Sequence, residues 1–116
     1  MTTARDQLRE RWRIKAVEAA QADDRAARAK EGKAIFLDQL IETLIEQSEA
    51  AGEKLANAKA ERMARTSDAY KGYLRKMHDA RHAADILRIE AQDADRRYWE
   101  GVSSDATYRA EMRMTQ

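Results

Sequence analysis

The sequence contains no cysteine and no proline, and only four of its 116 residues are glycine. The absence of cysteine excludes a disulfide framework and any zinc or iron–sulfur site with cysteine ligands. The absence of proline removes the residue that interrupts helices most strongly. Aromatic residues make up 6% of the chain, so the side chains that favour strands are also scarce. Together these absences argue against a sheet architecture.

Long apolar runs are also missing. The longest is Ala34-Ile35-Phe36-Leu37, far short of the roughly 20 residues that a membrane-spanning helix needs. The first residues of the chain lack the apolar core of a secretory signal. We therefore expect a soluble, cytoplasmic protein without a membrane partner.

Alanine and charged residues dominate what is present. The chain has 23 alanines, and 37% of its residues are charged, a composition typical of long helices. The net charge alternates along the chain, from +2 in residues 1–32 to −3 in 33–58, +4 in 59–83 and −2 in 84–116. This alternation favours segments that fold back on one another, and it argues against one continuous basic face.

Apolar residues recur at alternating spacings of three and four, the pattern of a coiled coil. One stripe begins at Ala34 and a second, longer one at Met63. Alanines in the middle of the second stripe favour close approach of an antiparallel partner helix. In the first stripe, Phe36, Leu40 and Ile45 broaden the apolar face enough for contact with two neighbouring helices. The predicted helix-interface residues are Leu37, Ile41, Leu44, Leu55, Tyr70, Tyr73, Met77, Ala80, Ala84, Leu87, Ala91, Ala94 and Tyr98.

Capping and glycine signals predict where the helices begin and end. Thr3 and Asp6 resemble a capping box, Thr66 or Ser67 is suited to cap a helix after a turn, and Gly101 is suited to end one. We therefore predict one all-α domain over residues 1–116, with helices at approximately 3–31, 33–64, 67–100 and 104–114. The expected fold is an elongated antiparallel helical hairpin or three-helix coiled-coil bundle with a short C-terminal helix. Whether Gly32 and Gly52 break helices stays open.

Two clusters combine cations with aromatic residues, a composition that suits nucleic-acid binding. The candidate nucleic-acid contacts are Arg9, Arg11, Trp12, Arg13 and Lys15 in the first cluster and Lys71, Arg75 and Lys76 in the second. The basic groups of the first cluster spread around the helix, and its tryptophan falls on an apolar stripe. Packing of the aromatic residues is therefore favoured over stacking on bases.

Two further motifs have specific but weaker interpretations. His78 and His82 are four residues apart with Asp85 one turn later, a spacing able to hold zinc, although a solvated surface pair is the preferred interpretation. Trp99-Glu100-Gly101 resembles the Trp-x-Gly turn of the small WXG-type secreted helical hairpins. In that family the motif lies in the central turn, whereas here it lies near the C-terminus, so we interpret it as a helix end.

No motif of a known catalytic class is present. The sequence lacks a glycine-rich phosphate loop, a G-x-S-x-G elbow and a cysteine nucleophile, so we expect neither an enzyme nor a cofactor. The preferred function is a helical adaptor, scaffold or modulator that self-associates through alanine-rich seams, as a dimer or higher homo-oligomer, and binds another protein. The alternatives are a nucleic-acid accessory protein, of the kind that phages and mobile elements encode, and a small secreted helical effector.

Overall fold

The computed structural model describes residues 3–115, and helices account for nearly all of them. Helix α1 spans Ala4–Ala50, α2 spans Asn57–Thr66 and α3 spans Asp68–Met114. No strand occurs within residues 3–115. The predicted all-α class is therefore confirmed.

Helix α1 begins at a reciprocal capping box, as predicted. The backbone N–H of Asp6 donates to the Thr3 hydroxyl oxygen at 3.0 Å, and the backbone N–H of Thr3 donates to the Asp6 carboxylate at 3.2 Å. These bonds satisfy donors that a helix N-terminus otherwise leaves unpaired. Hydrogen bonds from the side chain and then the backbone of Thr3 lower the pKa of Asp6 below its ordinary value.

The end of α1 corrects the predicted boundary at residue 31. The helix runs through Gly32 and ends only at Ala50, where Gly52 adopts a left-handed φ of 77°. The N–H of Gly52 donates to the Glu49 carbonyl, and that of Glu53 donates to the Ser48 carbonyl, both at 2.9 Å. This pair of bonds is a Schellman motif. An interior glycine costs only about 1 kcal/mol relative to alanine, so Gly32 alone does not stop a helix.

The predicted helix over 33–64 is therefore divided between α1 and α2, with residues 51–56 between them. A second break falls at Ser67, between α2 and α3, where the sequence predicts a turn and a helix cap. The Ser67 hydroxyl accepts from the N–H of Tyr70 at 3.2 Å and donates to the Ala64 carbonyl at 2.6 Å. Ser67 thus caps α3 while closing α2, which confirms the capping role predicted for this turn.

The predicted short helix over 104–114 is not separate, because α3 continues through Gly101 to Met114. Gly101 serves close packing instead. A methyl group added there would lie 3.2 Å from the Leu8 Cδ1 atom, so the missing side chain makes room for leucine.

The predicted single domain divides into two compact units. The terminal unit comprises Met1–Asp23 with Ala83–Gln116, and the hairpin unit comprises Asp24–His82. Within the terminal unit, Lys15 pairs with Glu90, Trp12 stacks on Tyr98 and Leu8 faces Gly101. Residue numbers fall on α1 as they rise on α3, so the two helices are antiparallel in this unit.

The hairpin unit contains the larger apolar core. Leu37 of α1, Ala64 of α2 and Tyr70 of α3 are buried together, so α1 contacts two neighbours here, as its broad apolar stripe predicts. Five partly buried side chains pack around this cluster: Phe36, Leu40, Ile41, Leu44 and Leu74. The core of the hairpin unit therefore combines aliphatic and aromatic side chains.

Candidate interaction surfaces

The structure places the predicted interface residues in the interior of the two units. Leu37, Tyr70, Ala84 and Ala94 are buried, and nine others are partly buried: Ile41, Leu44, Leu55, Tyr73, Met77, Ala80, Leu87, Ala91 and Tyr98. The units differ in what they bury. Among the described residues of the terminal unit, only Ala22, Ala84 and Ala94 are fully buried.

Lys15, a candidate nucleic-acid contact in the sequence, lies on the side of α1 that faces α3 and pairs with Glu90. Its ammonium group lies 3.0 Å from a carboxylate oxygen of Glu90 and 3.6 Å from one of Glu18. The hydrogen bond to Glu90 is the main cause that raises the pKa of Lys15. The spacing of the sequence could have shown this position of Lys15. Intervals of four and three residues continue unbroken through the lysine in the series Leu8, Trp12, Lys15, Ala19 and Ala22.

The first predicted nucleic-acid cluster is not gathered on one face. Arg11 and Lys15 line a depression together with Glu90, Asp93 and Arg97, so carboxylates surround them. Arg9 and Arg13 are exposed elsewhere on the helix.

Trp12 stacks on Tyr98 with ring centroids 5.6 Å apart and an angle of 17° between the planes. This contact is the packing that the sequence favours. In the hairpin unit, Lys71, Arg75 and Lys76 of the second cluster are all exposed.

An apolar depression of about 340 Å³ lies on the outer side of α1 in the terminal unit. We call it the Trp12 face; it is lined by Trp12, Arg13, Ala16, Val17 and Ala20. Val17 is 50% exposed, and the two alanines are exposed as well.

Trp99 continues the aromatic surface beside the Trp12 face. Its ring meets Tyr98 edge-on at 5.2 Å, and its indole N–H donates to Asp95 at 3.0 Å, yet 56% of the residue is exposed. Ile14, Ile86 and Ile89 of the same unit are also exposed. The terminal unit therefore presents large apolar groups to solvent while burying small ones.

A different groove lies between α1 and α3 in the hairpin unit. We call it the lysine groove; its volume is about 600 Å³, and it is lined by Ala26, Ala27, Lys30, Lys33, Met77, His78 and Arg81. No carboxylate belongs to this lining. Sequence reasoning missed it because its lysines and the residues of α3 lie more than 40 positions apart along the chain.

The predicted zinc candidates are not assembled into a site. In residues 3–115, no three histidine, cysteine, aspartate or glutamate side chains cluster closely enough to hold a metal ion. His78 lines the lysine groove, His82 is exposed, and Asp85 forms an ion pair with Arg88.

The protein is all-α: α1 and α3 are long antiparallel helices, and the short α2 lies between them in the sequence. No helix within residues 3–115 has a stretch long and apolar enough to cross a lipid bilayer. No protein-family model, curated protein or solved structure matches the chain.

Proposed function

We propose that this protein is a helical interaction protein that associates with a second copy of itself through the Trp12 face of the terminal unit. One observation carries the proposal. The fully buried residues of that unit, among those the structure describes, are Ala22, Ala84 and Ala94, whereas Val17 and Trp99 are about half exposed.

The energetics of alanine seams support a further helical neighbour. A buried methyl group contributes about 0.8 kcal/mol, whereas a fully buried leucine or phenylalanine contributes about 1.5–3 kcal/mol. Ordering each residue of the backbone costs about 1–2 kcal/mol. Two helices that pack through alanines therefore gain little free energy from apolar burial relative to the entropy cost of ordering them. Covering the exposed apolar side chains of the terminal unit adds burial that offsets this cost.

The side chains of the Trp12 face suit a helix as the neighbour. Ala16 and Ala20 lie four residues apart, so they share one side of α1 and allow a second helix to approach closely. Trp12 and Val17 line the same depression and are its largest apolar side chains. Tryptophan is enriched at the centres of protein interfaces because it buries a large area.

Analytical ultracentrifugation of the wild type and of the V17E/A20E double variant tests this proposal. Both substituted side chains are exposed, so we expect α1 to remain helical by circular dichroism. The wild type is expected to sediment as a dimer or higher oligomer at micromolar concentration. The double variant is expected to sediment as a monomer, because a dimer would bury four added carboxylates against only two Arg13 side chains, and a carboxylate buried without a cationic partner is strongly unfavourable.

The N57E/A69E double variant is the matched control. It adds the same charge at exposed positions near helix N-termini in the hairpin unit, where carboxylates are tolerated. This variant should sediment like the wild type. A monomeric wild type at micromolar concentration, or equal dissociation of both double variants, contradicts the proposal.

A further inference from the structure

The lysine groove of the hairpin unit gathers basic side chains from two helices. Lys30 and Lys33 come from α1, and His78 and Arg81 come from α3. Lys30 and Lys33 are three residues apart on one helix, a spacing at which like charges repel. A bound anion between the helices relieves that repulsion.

Among the residues that the structure describes, the two lysines of the groove lack the carboxylate partner that several other cations have. Lys15, Arg28 and Arg65 all pair with carboxylates. Within residues 3–115, by contrast, neither Lys30 nor Lys33 has a carboxylate within ion-pair distance. Arg81 already has a partner, so the two lysines are the principal groups that remain for a ligand.

The floor of the groove is apolar. Ala26 is only 4% exposed, and Ala27 and the partly buried Met77 lie beside it. The volume of about 600 Å³ falls within the range of about 300–1,000 Å³ that is usual for small-molecule sites. The groove therefore offers an apolar surface for the body of a ligand and two ammonium groups for its charge.

We infer that the lysine groove binds the phosphate group of a nucleotide, with Lys30 and Lys33 holding the phosphate and with Ala26, Ala27 and Met77 contacting the base or sugar. Lysine is a common phosphate ligand because its ammonium group is a compact point charge with three donors. The phosphate comes either from a free nucleotide or from a nucleic-acid strand. The inference concerns the hairpin unit and is independent of the Trp12 face.

Binding of three probes to the full chain at low salt tests the inference: inorganic pyrophosphate, ADP and a fluorescein-labelled oligothymidine. In the wild type we expect ADP or the oligothymidine to bind more tightly than pyrophosphate, because pyrophosphate has no apolar body. The K30E/K33E variant is expected to lose about tenfold or more in affinity for the bound probe. For the oligothymidine, the slope of log affinity against log salt is expected to fall by about 0.7 for each lost phosphate contact.

The K54E/K59E variant is the matched control, because it makes the same charge change at two exposed lysines of the same unit outside the groove. It should retain most of the affinity. The neutral K30Q/K33Q variant, whose helicity is checked by circular dichroism, should lose affinity to a smaller extent than K30E/K33E.

The two sources of phosphate are distinguished by competition. ADP that binds more tightly than the oligothymidine and displaces it assigns the site to a free nucleotide, whereas binding of the oligothymidine without binding of ADP assigns it to a strand. Three results overturn the inference: no binding of any probe at low salt, equal losses in K30E/K33E and K54E/K59E, or pyrophosphate binding as tight as that of ADP and the oligothymidine.

Discussion

In the hairpin unit, Tyr73 of α3 packs closely over Gly32 of α1 and forms a hydrogen bond with the neighbouring turn of that helix. The Tyr73 hydroxyl donates to the Ala29 carbonyl at 2.7 Å, and its ring stacks on Phe36 with centroids 4.5 Å apart. The hydroxyl reaches the carbonyl by passing over Gly32, where a Cβ atom would lie 2.7 Å from it. The glycine that resembles a helix stop in the sequence is therefore a packing residue.

The G32A variant is expected to unfold more easily than the wild type, although alanine favours helix more than glycine does. Its methyl group collides with the Tyr73 hydroxyl, and overpacking of this kind costs about 1–3 kcal/mol. Urea denaturation followed by circular dichroism measures the change in the free energy of unfolding.

A double-mutant cycle identifies the cause. Y73F alone should cost about 1 kcal/mol, the net contribution of one hydrogen bond. In the Y73F background, G32A should be neutral or stabilising by up to about 1 kcal/mol, because the colliding oxygen is gone and alanine has the higher helix propensity. An equal penalty for G32A in both backgrounds is inconsistent with this explanation.

The Asp6 carboxylate gives a prediction on pH. Hydrogen bonds from Thr3 lower its pKa from 3.8, so the folded state favours the ionised form. The resulting stabilisation of the α1 N-terminus is present above pH 3.8 and is lost as the pH falls through the lower, folded pKa. Carbon-13 NMR should show Asp6 titrating below 3.8, and T3A should move its pKa back towards that value. A wild-type pKa at or above 3.8 contradicts the capping argument.

At the scale of the elements, Gly52 and Gly72 provide a matched pair. Neither has an atom within 4 Å of an added Cβ, but Gly52 has a φ of 77° and Gly72 lies inside α3. G52A should destabilise by about 1–2 kcal/mol, since alanine is strained in the left-handed region. G72A should stabilise by about 0.5–1 kcal/mol, since it rigidifies an ordinary helical position. Urea denaturation of both variants checks the two signs, and a stabilising G52A contradicts the assigned turn.

The residues of α3 from Tyr70 to Tyr98 keep one spacing pattern, and the structure buries or partly buries those that the periodicity marks. The periodicity predicted the ends of α1 less well. The α1 pattern shifts between Ala29 and Leu37, where Gly32 accommodates a tyrosine and the helix gains α2 as a second neighbour. That shift resembles a helix boundary in the sequence. The lysine groove was not predictable, since it depends on which residues of α3 lie beside Lys30 and Lys33.

At the scale of the whole molecule, the two units differ in core composition and therefore in expected local stability. The hairpin unit buries Leu37 and Tyr70 among five further apolar side chains, whereas the fully buried residues described in the terminal unit are alanines. Cooperative units of a protein open with free energies that follow their buried apolar contacts.

Amide hydrogen exchange monitored by mass spectrometry should consequently show slower exchange in peptides from residues 34–48 than in peptides from residues 8–22. Both ranges lie inside α1, so helix ends do not bias the comparison. The difference should narrow at high protein concentration, because the proposed association at the Trp12 face would stabilise the terminal unit. Equal exchange rates in the two ranges at high dilution would refute the conclusion that the terminal unit has the less stable core.

The positions of Gly32 and Gly101 affect how the helices find their alignment. A row of alanines repeats every seven residues and permits neighbouring helices to slide by one heptad with little penalty. Leu8 fits opposite Gly101, but after a slip of seven residues it would meet the side chain of Ala94 or Tyr108. The hydroxyl of Tyr73 likewise needs the space that a missing Cβ atom leaves at Gly32. Each unit therefore contains one large side chain that fits only against a glycine. Helix pairs that are shifted by a heptad lose this fit and are short-lived during folding.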